Sequence, residues 1–245
     1  MAGTTPAGLL AALVAAAGLV AAGALVGNGL ARGRAQDRFV TVKGSAEREV
    51  KADVAIWPLR LTASDNDLSR AHAQLDSSFA KLREFLGREG VDLGESQIQG
   101  FSVSDANARE YGGGNAKQDR FVIQQTLVVR SRDPEKIREV SAKVSELVGA
   151  GVVFSSGNEY GVGGPIFIFT GLNELKPTLI AEATSRAREA AQQFAKDSGS
   201  SLGGIRRANQ GVVEILPRDP TPGANEASQL KKVVRVVTTV DYLLE

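Results

Sequence analysis

The chain has no cysteine, one histidine, one tryptophan and few aromatic residues of any kind. Without cysteine there are no disulfides, thiolate metal sites or cysteine nucleophiles. A single histidine, His72, excludes a histidine-based metal cluster and any mechanism that needs two imidazoles. Aromatics at 5% leave no stacking platform for single-stranded nucleic acid. Charge of either sign in excess is also missing. With 29 basic against 28 acidic residues, the chain lacks the basic surplus of a nucleic-acid binder.

The most localised absence is at the N-terminus. No charged residue or histidine stands between Ala2 and Ala31, and residues 7–26 are almost entirely Ala, Leu, Val and Gly. An apolar run of about 20 residues matches the hydrocarbon thickness of a bilayer as a helix, which also satisfies its own backbone groups in lipid. Residues 1–35 are therefore expected to be a transmembrane anchor and short linker, with residues 7–30 in contact with membrane lipid. A cleaved signal peptide has a basic start and a shorter apolar core. Here the start is uncharged and the core too long, although small residues occupy plausible cleavage positions at 29–31 and 33–35. Arg32 and Arg34 would by the positive-inside bias keep their side cytoplasmic.

Residues 36–245 read as one water-soluble α+β domain. Strands are expected at 38–50, with Gly44 as a bulge or bend, and at 53–63. There Ala55, Trp57, Leu59 and Leu61 alternate, and Pro58 points toward an edge or bulge. Asn66 or Asp67 caps a helix to about Gly87. Its stripe is Leu68, Ala71, Leu75, Phe79, Leu82 and Leu86. Strands follow at 96–104 and 120–131, separated by a polar loop containing Gly112–Gly114. Asp133-Pro134 opens a helix ending at Gly149. Two short strands, 152–155 and 166–170, flank a glycine-rich turn. An alanine-rich helix over 179–198 has Pro177 in its first turn. A strand over 205–216 breaks at Gly211, residues 217–229 form a mobile loop, and residues 231–244 close the chain as a strand apolar on both faces. The expected order is ββαββ followed by αββαββ, with helices on one face of a sheet.

These stretches together resemble the SIMPL domain family of bacterial envelope proteins. The resemblance runs from Phe39 to Leu244. Val40-Thr41-Val42-Lys43-Gly44 followed by Ala52-Asp53-Val54-Ala55 is similar to the family's opening strand and turn, with Ala52 in place of the usual proline. Ile98 to Val103 resembles the strand before the family's variable glycine-rich loop. Ile166-Phe167-Ile168-Phe169, the alanine-rich helix through Ala195, then Gly199, Leu202 and Gly203 resemble its most regular stretch. The resemblance implies an export or anchor segment and a self-associating domain outside the cytoplasm. That location decides the orientation against the two arginines. It implies no enzyme activity, cofactor or catalytic residue.

The candidate chemical groups read as surface. His72 with Asp76 four residues on could in principle supply a general base and its orienter, but the spacing fits a solvated helix face. Gly112–Gly114 and Gly157–Gly164 lack the order of a phosphate loop. Asp197-Ser198-Gly199-Ser200-Ser201 lacks G-x-S-x-G and fits a helix C-cap. Glu182 and Arg186 form an i,i+4 pair on a solvated face or a subunit contact. No catalytic, cofactor-binding or metal-ligating residue is assigned. The expected function is that of a non-enzymatic, membrane-anchored envelope protein forming a homo-oligomeric scaffold or ring, with channel-like or stress-related variants. Its place is the inner membrane with the soluble domain in the periplasm, or the periplasm after cleavage. The alternatives are an envelope hydrolase or ligand-binding enzyme with a site at the glycine-rich loops, and a monomeric adaptor using strand edges. No nucleic acid is expected as a partner, and no small-molecule substrate is identified.

Overall fold

The structure is a computed structural model, and it describes residues 14–27, 38–106, 119–155, 164–221 and 225–245. After a helix over residues 14–27 (α1) come β1 (Phe39–Lys51), β2 (Val54–Asp65), α2 (Leu68–Arg88), β3 (Gln97–Asp105) and β4 (Phe121–Ser131). Then follow α3 (Pro134–Ala142), α4 (Ser145–Gly149), β5 (Ile166–Ile168), α5 (Leu172–Asp197), β6 (Leu202–Pro217), a 3-10 turn (Glu226–Ser228) and β7 (Lys231–Leu244). The class is α+β. The strands form a three-stranded sheet ordered β1-β7-β6 and a four-stranded sheet ordered β3-β4-β2-β5. Two compact units result. One comprises residues 1–46, 177–213 and 236–245; the larger comprises 47–176 and 214–235.

In the larger unit the period-two pattern of β2 buries Trp57, Leu59, Leu61 and Ala63 on one face. β4 lies antiparallel beside it and adds Ile123, Leu127 and Val129 to the same core. Helix α2 covers that face with Ala71, Leu75, Phe79, Leu82 and Leu86 of the stripe expected from spacings of three and four; Leu68, at its start, is exposed instead, and Phe85 is buried in addition. Asp67 starts the helix by accepting from the backbone N–H groups of Ser69 and Arg70. A Leu82→Ala change in this fully buried position would remove about 2–5 kcal/mol.

Pro58 is expected at an edge, yet β2 is an inner strand. Among the described residues, the ladder on one side of β2 has a gap. β5 pairs only with Val54–Ile56. Further along, Thr62 donates to Val153 and Ser155 donates to Arg60. Pro58 falls between these two stretches, where among the described residues no strand partner calls for its missing donor. The expected strand over 152–155 reduces to a single bridge between Phe154 and Leu61. The expected helix over 133–149 is two helices. At the break, Lys143, Val144 and Glu146 donate to carbonyls three residues back, so tight turns replace the α-helical ladder. The second half of the chain is therefore ααβαββ rather than αββαββ.

Helix α5 begins earlier than expected, at Leu172, so Pro177 lies inside it rather than in its first turn. Asp53 stabilises the approach to this helix. Its carboxylate accepts from the Thr170 backbone N–H at 2.9 Å and from the Thr170 hydroxyl at 2.8 Å. Of the expected mobile loop over 217–229, residues 222–224 lie outside the described residues, and the rest makes specific hydrogen bonds. Gln229 brackets Asp219, accepting from its N–H and donating to its carbonyl. Asn225 caps the 3-10 turn by accepting from Ser228.

In the other unit, Ala183, Ala187, Ala191 and Ala195 form the buried stripe of α5. Ala187 and Ala191 pack against Val40, Val42, Val240 and Tyr242. Alanine at every fourth position lets the helix backbone come very close to β1. Gly44 completes that approach and is not a bend, because β1 runs through it unbroken. A Cβ there would lie 2.0 Å from the Ala183 carbonyl oxygen and 2.4 Å from the Ala187 nitrogen. Gly211 likewise does not break its strand. β6 is continuous across it, and an added Cβ would stand 2.6 Å from the Val237 carbonyl oxygen.

β7 is central in its sheet; its even-numbered side chains from Lys232 to Tyr242 are buried, and the odd-numbered ones from Val233 to Leu243 are partly covered. Among the described residues no helix is long and apolar enough to cross a membrane. Residues 14–27, the described part of the expected lipid segment, are helical. Positions 7–13 and 28–30 of the expected lipid segment, and both cleavage positions, lie outside the described residues.

Candidate functional site

His72 and Asp76 come together on the outer face of α2. The His72 Nδ1 lies 3.1 Å from an Asp76 carboxylate oxygen, with side chains 55% and 65% exposed. The Phe101 ring stands edge-on to the imidazole, with centroids 6.5 Å apart. Among the described residues no hydroxyl or amine is hydrogen-bonded to His72. A general base needs a proton to take within about 3 Å, and this geometry offers only a solvated pair on a helix.

A groove of about 740 Å³ runs beside α2, between that helix and the segment 151–153. Thr62, Ser64, Gln74 and Ser77 give it a polar lining, with Arg70 and Lys81 as its cations. Each cation already has an acceptor. The Arg70 guanidinium donates from Nε and Nη2 to one Asp65 oxygen, at 3.0 and 2.7 Å. Lys81 donates to the Ala150 carbonyl at 2.8 Å. Arg70, and then the Asp67 backbone N–H, hold the Asp65 carboxyl below the usual carboxylate range. Ser64 donates to Asp119 and Ser78 to the Gln74 carbonyl. Mutual satisfaction of this kind positions the α2 N-terminus; it does not activate a nucleophile.

Two further charge clusters were not legible as such in the sequence. Lys143 donates to Glu89 at 2.8 Å and to Glu139 at 3.2 Å, while Arg88 reaches Glu146 at 2.9 Å. The Lys143 hydrogen bond holds the Glu89 carboxyl low and raises the ammonium in turn. The second cluster is Lys232, fully buried on β7, which donates to both the backbone carbonyl and the carboxylate of Glu226. An alternating strand pattern marks position 232 as inward, but its lysine disguises it as surface.

Arg186 pairs with Glu182 at 2.6 Å, as expected for i,i+4, and also donates to the Ser45 carbonyl at 2.9 Å. It ties the helix to β1 within one chain. The 197–201 stretch is a helix C-cap: Gly199 has φ of 67° and Ser200 donates to the Ala195 carbonyl. The Gly112–Gly114 triplet and residues 157–163 lie outside the described residues. Among the described residues no group of three His, Asp or Glu is placed to hold a metal ion.

What the described surface does present is uncovered strand edge. β3 is an outer strand whose Ile98, Phe101 and Val103 are about half exposed. Gly100, at φ of 64°, marks a bulge between Gln99 and Ser102 that re-aims this edge. β6 is the outer strand of the other sheet, with Ile205 51% and Val212 81% exposed. Periodicity alone shows which side chains alternate. It does not show whether a strand has one neighbour or two.

A model of the SIMPL family, described as a protein of unknown function (DUF541), matches residues 40–241. A hydrolase from Listeria innocua is 13% identical, covering 78% of this chain and 90% of that one, with a TM-score of 0.18. An uncharacterized conserved protein from the same organism is 16% identical over the same shares, with a TM-score of 0.17. A further hydrolase from it is 16% identical over the same shares, with a TM-score of 0.20. At such scores these likenesses carry no argument about activity. No curated protein matches the chain.

Proposed function

This chain belongs to the SIMPL family, and from that premise we propose that it is a non-enzymatic, membrane-anchored envelope protein that works as a homo-oligomer. The N-terminal segment would hold it in the inner membrane, and the α+β domain would stand in the periplasm as a scaffold or ring. The observation that carries this reading is the exposed edge of β6. Apolar strand surface left open in a soluble domain invites association. The uncharged stretch from Ala2 to Ala31 supports the anchor. Tethering copies in one plane raises their effective concentration and strengthens a weak lateral contact.

The test is the size of the full chain extracted in mild detergent, together with its intact mass. The expected result is a discrete assembly of chains that retain residues 1–35, and a less stable assembly when those residues are removed. A monomer at micromolar concentration would transfer the reading to an adaptor that uses its strand edges. A mature chain starting near Arg32 or Gln36 would refute the anchor.

A further inference from the structure

β6 has 16 residues and its outer edge is free among the described residues. From Gly204 to Val212 all nine residues are exposed, so both faces of the strand are open there. Natural edge strands of this length are usually blunted by lysine, by proline, by a bulge or by covering chain. β6 holds no lysine, and its one proline is its last residue. It carries three charges, Arg206, Arg207 and Glu214. Neither Arg206 nor Glu214 has an ion-pair partner among the described residues. The Arg206 guanidinium lies 4.4 Å over the Phe39 ring, which restrains it without neutralising it.

We propose that two copies of this chain pair antiparallel through β6 about a two-fold axis at Gln210. The proposal rests on the homo-oligomer reading and names the surface it uses. Symmetry limits the registers. A two-fold axis normal to a sheet keeps each face on the same side, so paired positions must share parity and their numbers must sum to an even value. Arg207 opposite the partner's Glu214 sums to 421 and is excluded. Arg206 opposite the partner's Glu214 sums to 420 and is allowed. That register also sets Ala208 against the partner's Val212 and places Gln210 beside its own copy. Axes at 206 or 207 would put like arginines face to face, which is destabilising. Charge therefore selects one register, and it selects a second copy of this strand as the occupant.

The absence of cysteine makes the test clean. Opposite Cα atoms in an antiparallel pair are about 4.5–5.5 Å apart, within the range a disulfide bridges. Full-length Gln210→Cys, oxidised in mild detergent, is expected to run as a covalent dimer. Arg206→Cys alone is expected to stay monomeric on the same gel, because its copies would be about 26 Å apart along the strands. Arg206→Glu should weaken association at least about tenfold, and adding Glu214→Arg should restore it. Self-association measured by sedimentation, with no cross-link at 210, would overturn the β6 register and leave the oligomer reading standing. Cross-linking of Arg206→Cys as efficient as at 210 would also overturn the register. A monomer by sedimentation would overturn both readings.

Discussion

Gly44→Ala is the sharpest test of how the helix and β1 fit together. The new methyl group would sit 2.0 Å from the Ala183 carbonyl oxygen, 2.4 Å from the Ala187 nitrogen and 2.9 Å from the Ala187 Cβ. The two nearest atoms are helix backbone and cannot rotate away. Reaching an ordinary contact of about 3.5 Å requires the helix or the strand to retreat by more than about 1 Å. That movement would also loosen Ala187 and Ala191 from Val40, Val42 and Val240. Inserted methyl groups in packed cores cost about 1–3 kcal/mol and sometimes more. With backbone as the obstacle, about 3 kcal/mol or more is expected. Total stabilities are only about 5–15 kcal/mol. Urea unfolding followed by circular dichroism is the assay. With a slope of about 2–3 kcal/mol/M, the midpoint should fall by at least about 1 M. Gly204→Ala is the control, because nothing lies within 4 Å of its Cβ position; it should stay within about 0.5 kcal/mol of the parent. Adding Ala187→Gly removes only the 2.9 Å contact and should not rescue. A Gly44→Ala variant as stable as the parent, or a full rescue by Ala187→Gly, would refute the backbone-clash argument.

Removing the Glu226 carboxylate by Glu226→Ala strands the Lys232 ammonium and should destabilise by about 2 kcal/mol, while Lys232→Met should be near neutral. The first figure sits below the usual 3–5 kcal/mol for a broken buried pair because Glu226 is one-third exposed and its backbone carbonyl stays as an acceptor. Thermal melts of both variants decide it, and a Lys232→Met loss larger than that of Glu226→Ala would contradict it. Asp65, Glu89 and Asp219 all have carboxyl pKa values lowered in the fold, chiefly by hydrogen bonds from Arg70, Lys143 and Arg218. Their contribution is therefore complete above the unfolded carboxylate value of about 4 and is lost as pH falls through the lower folded value. The melting temperature should decline as pH falls below about 4, and Lys143→Met should flatten that decline. His72→Ala should leave melting temperature and assembly size unchanged, since the side chain is 55% exposed, its ion-pair partner lies on its own helix, and the Phe101 ring meets it only edge-on; a function lost with stability preserved would reopen an enzymatic reading.

Local rules made much of this protein legible before any fold was known. Three- and four-residue spacing marked the α2 face, Asp67 and Asp133-Pro134 marked two helix starts, and Gly199 marked the α5 end, because each of these acts within a few residues of itself. The alanine stripe announced close packing. Neither Pro58, Gly44 nor Lys232 could be read that way. Whether a proline tolerates an inner strand depends on where the neighbouring strands stop, and β5 stops at Ile56's partner. Whether a glycine is a bend or a contact depends on what faces it, and α5 faces Gly44 from more than a hundred residues away. A lysine on an inward position can be buried only if a carboxylate arrives, and Glu226 arrives on a turn that carries no apolar periodicity. The candidate surface was hidden for the same reason. β6 reads in the sequence simply as a strand, and only the sheet order leaves its outer hydrogen-bonding groups without a neighbour among the described residues. Sequence determined which segments become helix and strand through short-range backbone and side-chain preferences. Tertiary structure alone decided which edges stay open, because an edge is defined by the partner that is absent.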